Sequence, residues 1–142
     1  MVNIGIGLAM TGETNIETLL RALSPRLLEG TFVFCTLKNG RYGDLAHAAP
    51  VASFQESEGL TLVLSKEEAD REKLNYNGLF RCITLGVHSS LEAVGLTAAI
   101  STVLAKHHIS ANVIAGYYHD HIFVQAEQAT EAVELIQQLS EG

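Results

Sequence analysis

The most constraining feature of this chain is the order of hydrophobic periods in its second half. From Leu79 to Val87 the period is two, with Ile83, Leu85 and Val87 on one face and Cys82, Thr84 and Gly86 on the other, as a strand requires. A loop over His88–Gly95 follows. Leu96, Ala99, Ile100, Val103 and Leu104 then fall on one stripe of a helix running to about His108. Residues 111–118 and 120–126 predict two strands joined by a tight turn. A last helix over roughly 127–139 buries Ala129, Ala132, Val133, Ile136 and Leu139. The order β-α-β-β-α, with apolar stripes that need one common sheet face, is a βαββαβ unit short of its last strand.

The first half repeats the theme less completely. Thr14-x-x-Glu17 has the form of a capping box, followed by Ile16, Leu19, Leu20 and Leu23 at helical spacing and a stop at Ser24-Pro25. Thr31–Leu37 is β-branched and aromatic, apolar on both faces, and predicts a buried strand. Asn39-Gly40 signals a turn. Residues 50–56 and 60–64 predict two more strands, and Ser65-x-x-Glu68 opens a charged helix to about Leu74. Asn75-Tyr-Asn-Gly78 is the best internal boundary. The expected organisation is an N-terminal extension over 1–13, a first half over 14–76 and a second over 77–142. Met10 offers a more ordinary beginning than the mildly apolar residues 1–9, which lack the cationic start of a signal peptide.

Composition narrows the function. The 142 residues are 47% hydrophobic and 18% charged, which suits a packed core and not a disordered chain. Net charge is −7 and the nine Lys and Arg are unclustered, so neither nucleic acid nor a membrane surface is an expected partner. No apolar run approaches the ~18 residues of a membrane span. Cys35 and Cys82 sit in apolar strands without a CxxC, as buried thiols of a reducing, cytoplasmic compartment do.

Segments in both halves carry a resemblance. Val87-His-Ser-Ser-Leu-Glu-Ala-Val-Gly-Leu-Thr-Ala-Ala-Ile100 and Ile109-Ser-Ala-Asn-Val-Ile114 resemble the ACT domain pattern of strand, loop ending in Gly, helix and second strand. Ala115-Gly-Tyr-Tyr-His-Asp-His-Ile-Phe-Val124 is similar to a bacterial family of paired ACT-like domains of unassigned role. Leu23-Ser-Pro, Gly30-Thr-Phe-Val-Phe34 and Glu58-Gly-Leu-Thr-Leu-Val63 are similar to that family's leading domain. The resemblance spans about residues 15–140. It implies an α+β fold of two ferredoxin-like βαββαβ-type halves, antiparallel sheets with helices on one face. Relatives similar in pattern include the regulatory tails of aspartate kinases and a eukaryotic arginine sensor. The implied role is regulation by a small molecule, an amino acid above all, bound at a domain or subunit interface without chemistry. Free sheet edges left by the incomplete second half suit a homodimer, and no cofactor is expected.

Two constellations are candidates for that ligand. At a helix start, unpaired amides and a partial positive charge suit a carboxylate, and Gly95 lets a ligand or a neighbouring strand come close. Val94, Gly95 and Leu96 would offer main-chain contacts, with Ser90 and Glu92 adding side chains. The alternative is structural: Gly95 shapes a tight turn and Ser90 caps it. In the second, Asp120 would pair a ligand ammonium, framed by His119 or Tyr117; by the resemblance, Gly116, Tyr117, His119 and Asp120 lie on the edge where this family places ligand contacts. The structural alternative has Asp120 holding turn amides and orienting a histidine.

His119 and His121, two apart, also suit zinc or copper if His88, His107 or His108 supplies a third ligand. Asn112 serves as a cap of the preceding connection or as a ligand contact, the cap being preferred. Catalysis has thin support: mid-strand thiols are silenced by burial, and Ser89 and Ser90 lack a nucleophile elbow. Three roles therefore compete: a ligand-responsive regulatory domain, a dimerisation module using free sheet edges, and a His-based metal protein.

Overall fold

The computed structural model describes residues 15–88 and 94–142. The expectations for residues 1–13, including a start at Met10, lie outside the described residues, as does Thr14. The elements in chain order are α1 (Ile16–Arg21), β1 (Pro25–Leu27), β2 (Phe32–Lys38), β3 (Ala52–Glu56), β4 (Gly59–Ser65), α2 (Lys66–Arg71), β5 (Phe80–Leu85), α3 (Leu96–Lys106), β6 (Asn112–Ala115), β7 (Asp120–Gln125) and α4 (Ala129–Glu141). Single 3-10 turns occupy Ala46–Ala48 and Ala126–Gln128. The chain forms two compact units, one of residues 1–28 with 82–142 and the other of residues 29–81. The grouping does not follow chain order: α1 and β1 pack with the C-terminal elements.

In the first of these units β6 and β7 form an antiparallel hairpin, with Asn112 opposite Phe123 and Ala115 opposite Asp120. β5 lies beside β7, and β1 pairs antiparallel with β5, Pro25 opposite Leu85. The final strand missing from the C-terminal half is thus supplied by a segment before it in the chain. Pro25 opens β1, a position where its lack of an N–H costs no ladder bond. The helical face of this sheet carries Ile83, Leu85, Ile122 and Val124. They pack on Leu19 and Leu23 from the N-terminal segment, Ile100 and Leu104 of α3, and Leu135 and Ile136 of α4. The alternation expected for β5 holds: Ile83, Leu85 and Val87 belong to this core.

In the 29–81 unit β4 pairs with β2 and β3, both antiparallel, with Cys35 and Ser53 each opposite Leu62. Phe80, at the start of β5, pairs with Phe32. Val33, Cys35, Leu60, Leu62 and Leu64 form the core under Ala69 of α2 and Ala48 of the 3-10 turn. Ser65 caps α2 as expected, its hydroxyl accepting from the Glu68 amide at 3.2 Å. At α1 the cap differs from the Thr14 box: the Asn15 side-chain oxygen accepts from the Thr18 amide at 3.1 Å. The 39–51 segment runs where a βαββαβ half normally has its first helix. Gly40, Gly43 and Pro50 interrupt any helical stretch there, and a single 3-10 turn is what remains.

Candidate functional site

The candidate site lies in the unit of residues 1–28 and 82–142, where the β6–β7 turn meets the end of β5. The turn is closed by the Gly116 amide donating to the His119 carbonyl at 2.9 Å. A side chain at 116 would press on that same carbonyl, at 2.9 Å, and on the His121 ring, 3.3 Å away, so glycine is required for the imidazole to lie this close. Tyr117 and Tyr118 form the tip, 61% and 51% exposed, with their rings in an edge contact 5.1 Å apart.

Both histidines reach the 84–87 segment. His119 Nδ1 lies 3.2 Å from the Val87 carbonyl, to which it donates in the tautomer protonated there. His121 Nδ1 lies 2.9 Å from the Thr84 hydroxyl. Tyr118 stacks at a tilt on His88, 5.4 Å between ring centres. The sequence-predicted turn residues and the start of the loop before α3 are therefore neighbours. Thr84 was not singled out from sequence. It is the one buried polar side chain among the described residues, 4% exposed, and a hydroxyl flanked by Ile83 and Leu85 was the signal for it.

At the other end of the loop, Gly95 is the N-cap of α3 with φ 99°, a left-handed conformation that favours glycine. Its carbonyl accepts the first helical bond, from Ala99 at 2.9 Å. Gly95 has no side chain to cap the helix. Val94 is 83% exposed, whereas Leu96 is buried in the core and can offer only its backbone. Ile16 of α1 stands over Gly95, 3.6 Å from where a Cβ would be. Ser90 and Glu92 lie outside the described residues, as do the cap proposed for Ser90 and the Ser89 position. Asp120 is half-buried at the first position of β7, opposite Ala115.

Burial, and secondarily electrostatic repulsion from the neighbouring His119, hold His121 below its ordinary pKa, with Asp120 opposing. The folded chain therefore prefers the neutral ring. As pH falls past the ordinary value of 6.5, the unfolded chain takes up the proton first. The stabilisation is complete above that value and is lost as pH drops through the depressed folded value. Melting midpoints of the wild type should decline over this window more steeply than those of His121→Gln. Parallel curves would contradict the assignment.

Other candidates fall elsewhere. Asn112 does not cap the preceding connection; its amide donates across the hairpin to the Phe123 carbonyl at 3.2 Å, because Asn112 and Phe123 are directly opposite. His107 ends α3 and bonds the Val103 carbonyl at 3.1 Å. Among the described residues no group of three His, Cys, Asp or Glu is placed to hold a metal ion. Cys35 and Cys82 are free and buried, and burial pushes both thiols above their usual range, which disfavours a nucleophilic role. No helix among the described residues is long and apolar enough to cross a membrane.

Comparison with known proteins agrees with this architecture. Two ACT domain family models match in tandem, over residues 11–81 and 80–138. A Vibrio cholerae protein of unknown function, described as a possible transport protein, is 54% identical over 88% of this chain and 95% of its own, with a TM-score of 0.80. The regulatory subunit of Thermus thermophilus aspartate kinase has the same fold at 9% identity, over 83% of this chain and 98% of its own, with a TM-score of 0.57. The aspartate kinase of Clostridium acetobutylicum aligns at 11% identity over 82% of this chain and 34% of its own, with a TM-score of 0.58. No curated protein matches. With both halves matched by the same domain type and a sheet-and-helix order that fits it, this chain belongs to the ACT domain family.

Proposed function

We propose that this chain is a cytoplasmic, non-enzymatic regulatory protein that binds an amino acid where the 116–120 turn meets the loop and helix start at 87–96. ACT domains are ligand-binding regulatory modules, and the tandem match supports that role. The observation that carries the location is the pair of contacts from the turn to the loop, His119 to the Val87 carbonyl and Tyr118 to His88. In this reading Asp120, the first residue of β7, stands across from the helix start at Gly95. The ligand carboxylate takes the amides at 95–97, where backbone dipoles favour an anion, and its ammonium takes Asp120. Binding shifts an equilibrium only through unequal affinity for two arrangements, so regulation requires a second state or partner chain.

Calorimetric titration with each of the twenty amino acids tests the proposal. One or a few should bind, and Asp120→Asn should weaken that binding by about tenfold or more. At 100 times its dissociation constant the ligand should add about 2.7 kcal/mol to folding stability. Twenty blank titrations would end the amino-acid reading. A homodimer is part of the proposal, supported by the exposed strand β3, on which Phe54 stands out into solvent. Light scattering should return twice the chain mass, and a monomer at all concentrations would remove the dimer.

A further inference from the structure

The 29–81 unit carries a pocket that shares no residue with the candidate site above. The 39–53 segment and Leu62 line an open pocket of about 270 Å³. Leu62, Ala49 and Pro50 supply apolar lining, and Tyr42, Asp44 and Ser53 supply the polar groups. This is just under the ~300 Å³ at which the range of ligand pockets begins, so only a small molecule would fit.

The wall is held in one shape by the side chain of Gln55. Its oxygen accepts from the Tyr42 amide at 2.7 Å and its nitrogen donates to the Gly40 carbonyl at 2.9 Å. Asp44 fixes the adjoining turn, one carboxylate oxygen accepting from the Arg41 amide at 2.9 Å. Leu45 and Ala49 both have left-handed backbones, φ 58° and 51°. Non-glycine residues adopt that conformation at a cost, and it persists only where the surroundings over-determine it. Leu45 packs against the core of this unit and Ala49 lines the pocket, so the two left-handed residues turn the segment between core and pocket.

The chemistry of the lining selects the occupant. Asp44 is the one ionised group in it, and neither Lys nor Arg lines it. After its bond to Arg41 the carboxylate retains a second oxygen, the Ser53 hydroxyl is an acceptor, and the 81% exposed Tyr42 ring presents a π-face. Beside them lies an aliphatic surface. We infer that this pocket binds a small organic cation, a primary ammonium group carried on a short aliphatic body.

Amide chemical-shift mapping of the full ¹⁵N-labelled chain tests this, with n-butylammonium, 1-butanol and butyrate as probes matched in body and different in charge. Butylammonium should give saturable shifts at Gly43, Asp44, Ala49 and Ser53. Butanol should bind about tenfold more weakly or worse, and butyrate not at all. Asp44→Asn keeps an oxygen for the Arg41 amide while removing the charge, so it should retain the folded spectrum and lose about tenfold in affinity. The inference is overturned if butylammonium produces no saturable shift in 40–53. It is equally overturned if butanol and butyrate match butylammonium, or if Asp44→Asn binds as the wild type does. The three-probe comparison on the wild type decides the matter even should the variant fold poorly.

Discussion

Leu23→Ala should destabilise the protein by about 2–5 kcal/mol, the cost of emptying a fully buried leucine site. Leu23 precedes β1, far in sequence from the C-terminal half, yet its side chain is wholly buried in the core of Ile83, Leu85, Ile122 and Ile136. Its carbonyl accepts from the Gly86 amide at 2.9 Å, so backbone as well as side chain tie this segment to the end of β5. Urea denaturation measures the loss, and hydrogen exchange locates it: protection should fall first in β5 and α4 and less in β2 and β4. A change below about 1 kcal/mol would mean that the 16–27 segment is dispensable to the C-terminal core.

Gly59→Ala should cost a comparable amount, about 2–5 kcal/mol, through a different mechanism. Gly59 begins β4, opposite both Lys38 of β2 and Glu56 of β3. A Cβ built there runs into the Leu37 carbonyl oxygen and comes within 3.0 Å of the Asn39 amide, which itself donates to the Glu58 carbonyl at 3.1 Å. Backbone cannot step aside as a flexible side chain can, so the β2–β4 ladder must open at this end. The same substitution at Gly43 meets nothing within 4 Å, although its φ of 101° still disfavours alanine, and should cost less. Equal midpoints for wild type and Gly59→Ala would refute the geometry of this turn.

Much of the architecture was legible because it is written in periods. The alternation through β5 and the stripes of α3 and α4 depend only on which residues seek the core, and each element lies where its pattern put it. β1 was not legible: three residues after Ser24-Pro25 carry no period, and their strand character comes from pairing with Ile83–Leu85. The 39–51 segment was legible as irregular, from Asn39-Gly40 and Gly43, but not in shape. Left-handed Leu45 and Ala49 are conformations neither residue type favours, and Leu45 is held by packing against residues distant in sequence. At the α1 start, Thr14 and Asn15 are equally good caps by type, and only the backbone path distinguishes them.

The site was legible in its parts more than in its contacts. Gly95 was expected at a helix start and is there, whereas Gly116, read inside a strand over 111–118, instead closes the turn, because the strand ends at Ala115. That Thr84 holds the His121 ring could not be read, since their 37-residue separation in sequence carries no local signal. Asn112 misled for the same reason: an Asn at a strand start has the form of a cap, and only the register of the hairpin puts the Phe123 carbonyl in its reach.

The central claim is that residues 94–96 and 116–120 grip one amino acid between them. Residue-resolved amide shift mapping of the wild-type chain, titrated with whichever amino acid binds calorimetrically, addresses it directly. The account predicts saturating shifts at Gly95, Leu96, Gly116, His119 and Asp120 that share one dissociation constant and are diminished together in Asp120→Asn. Saturating shifts elsewhere in the chain, with these five amides unmoved, would contradict it.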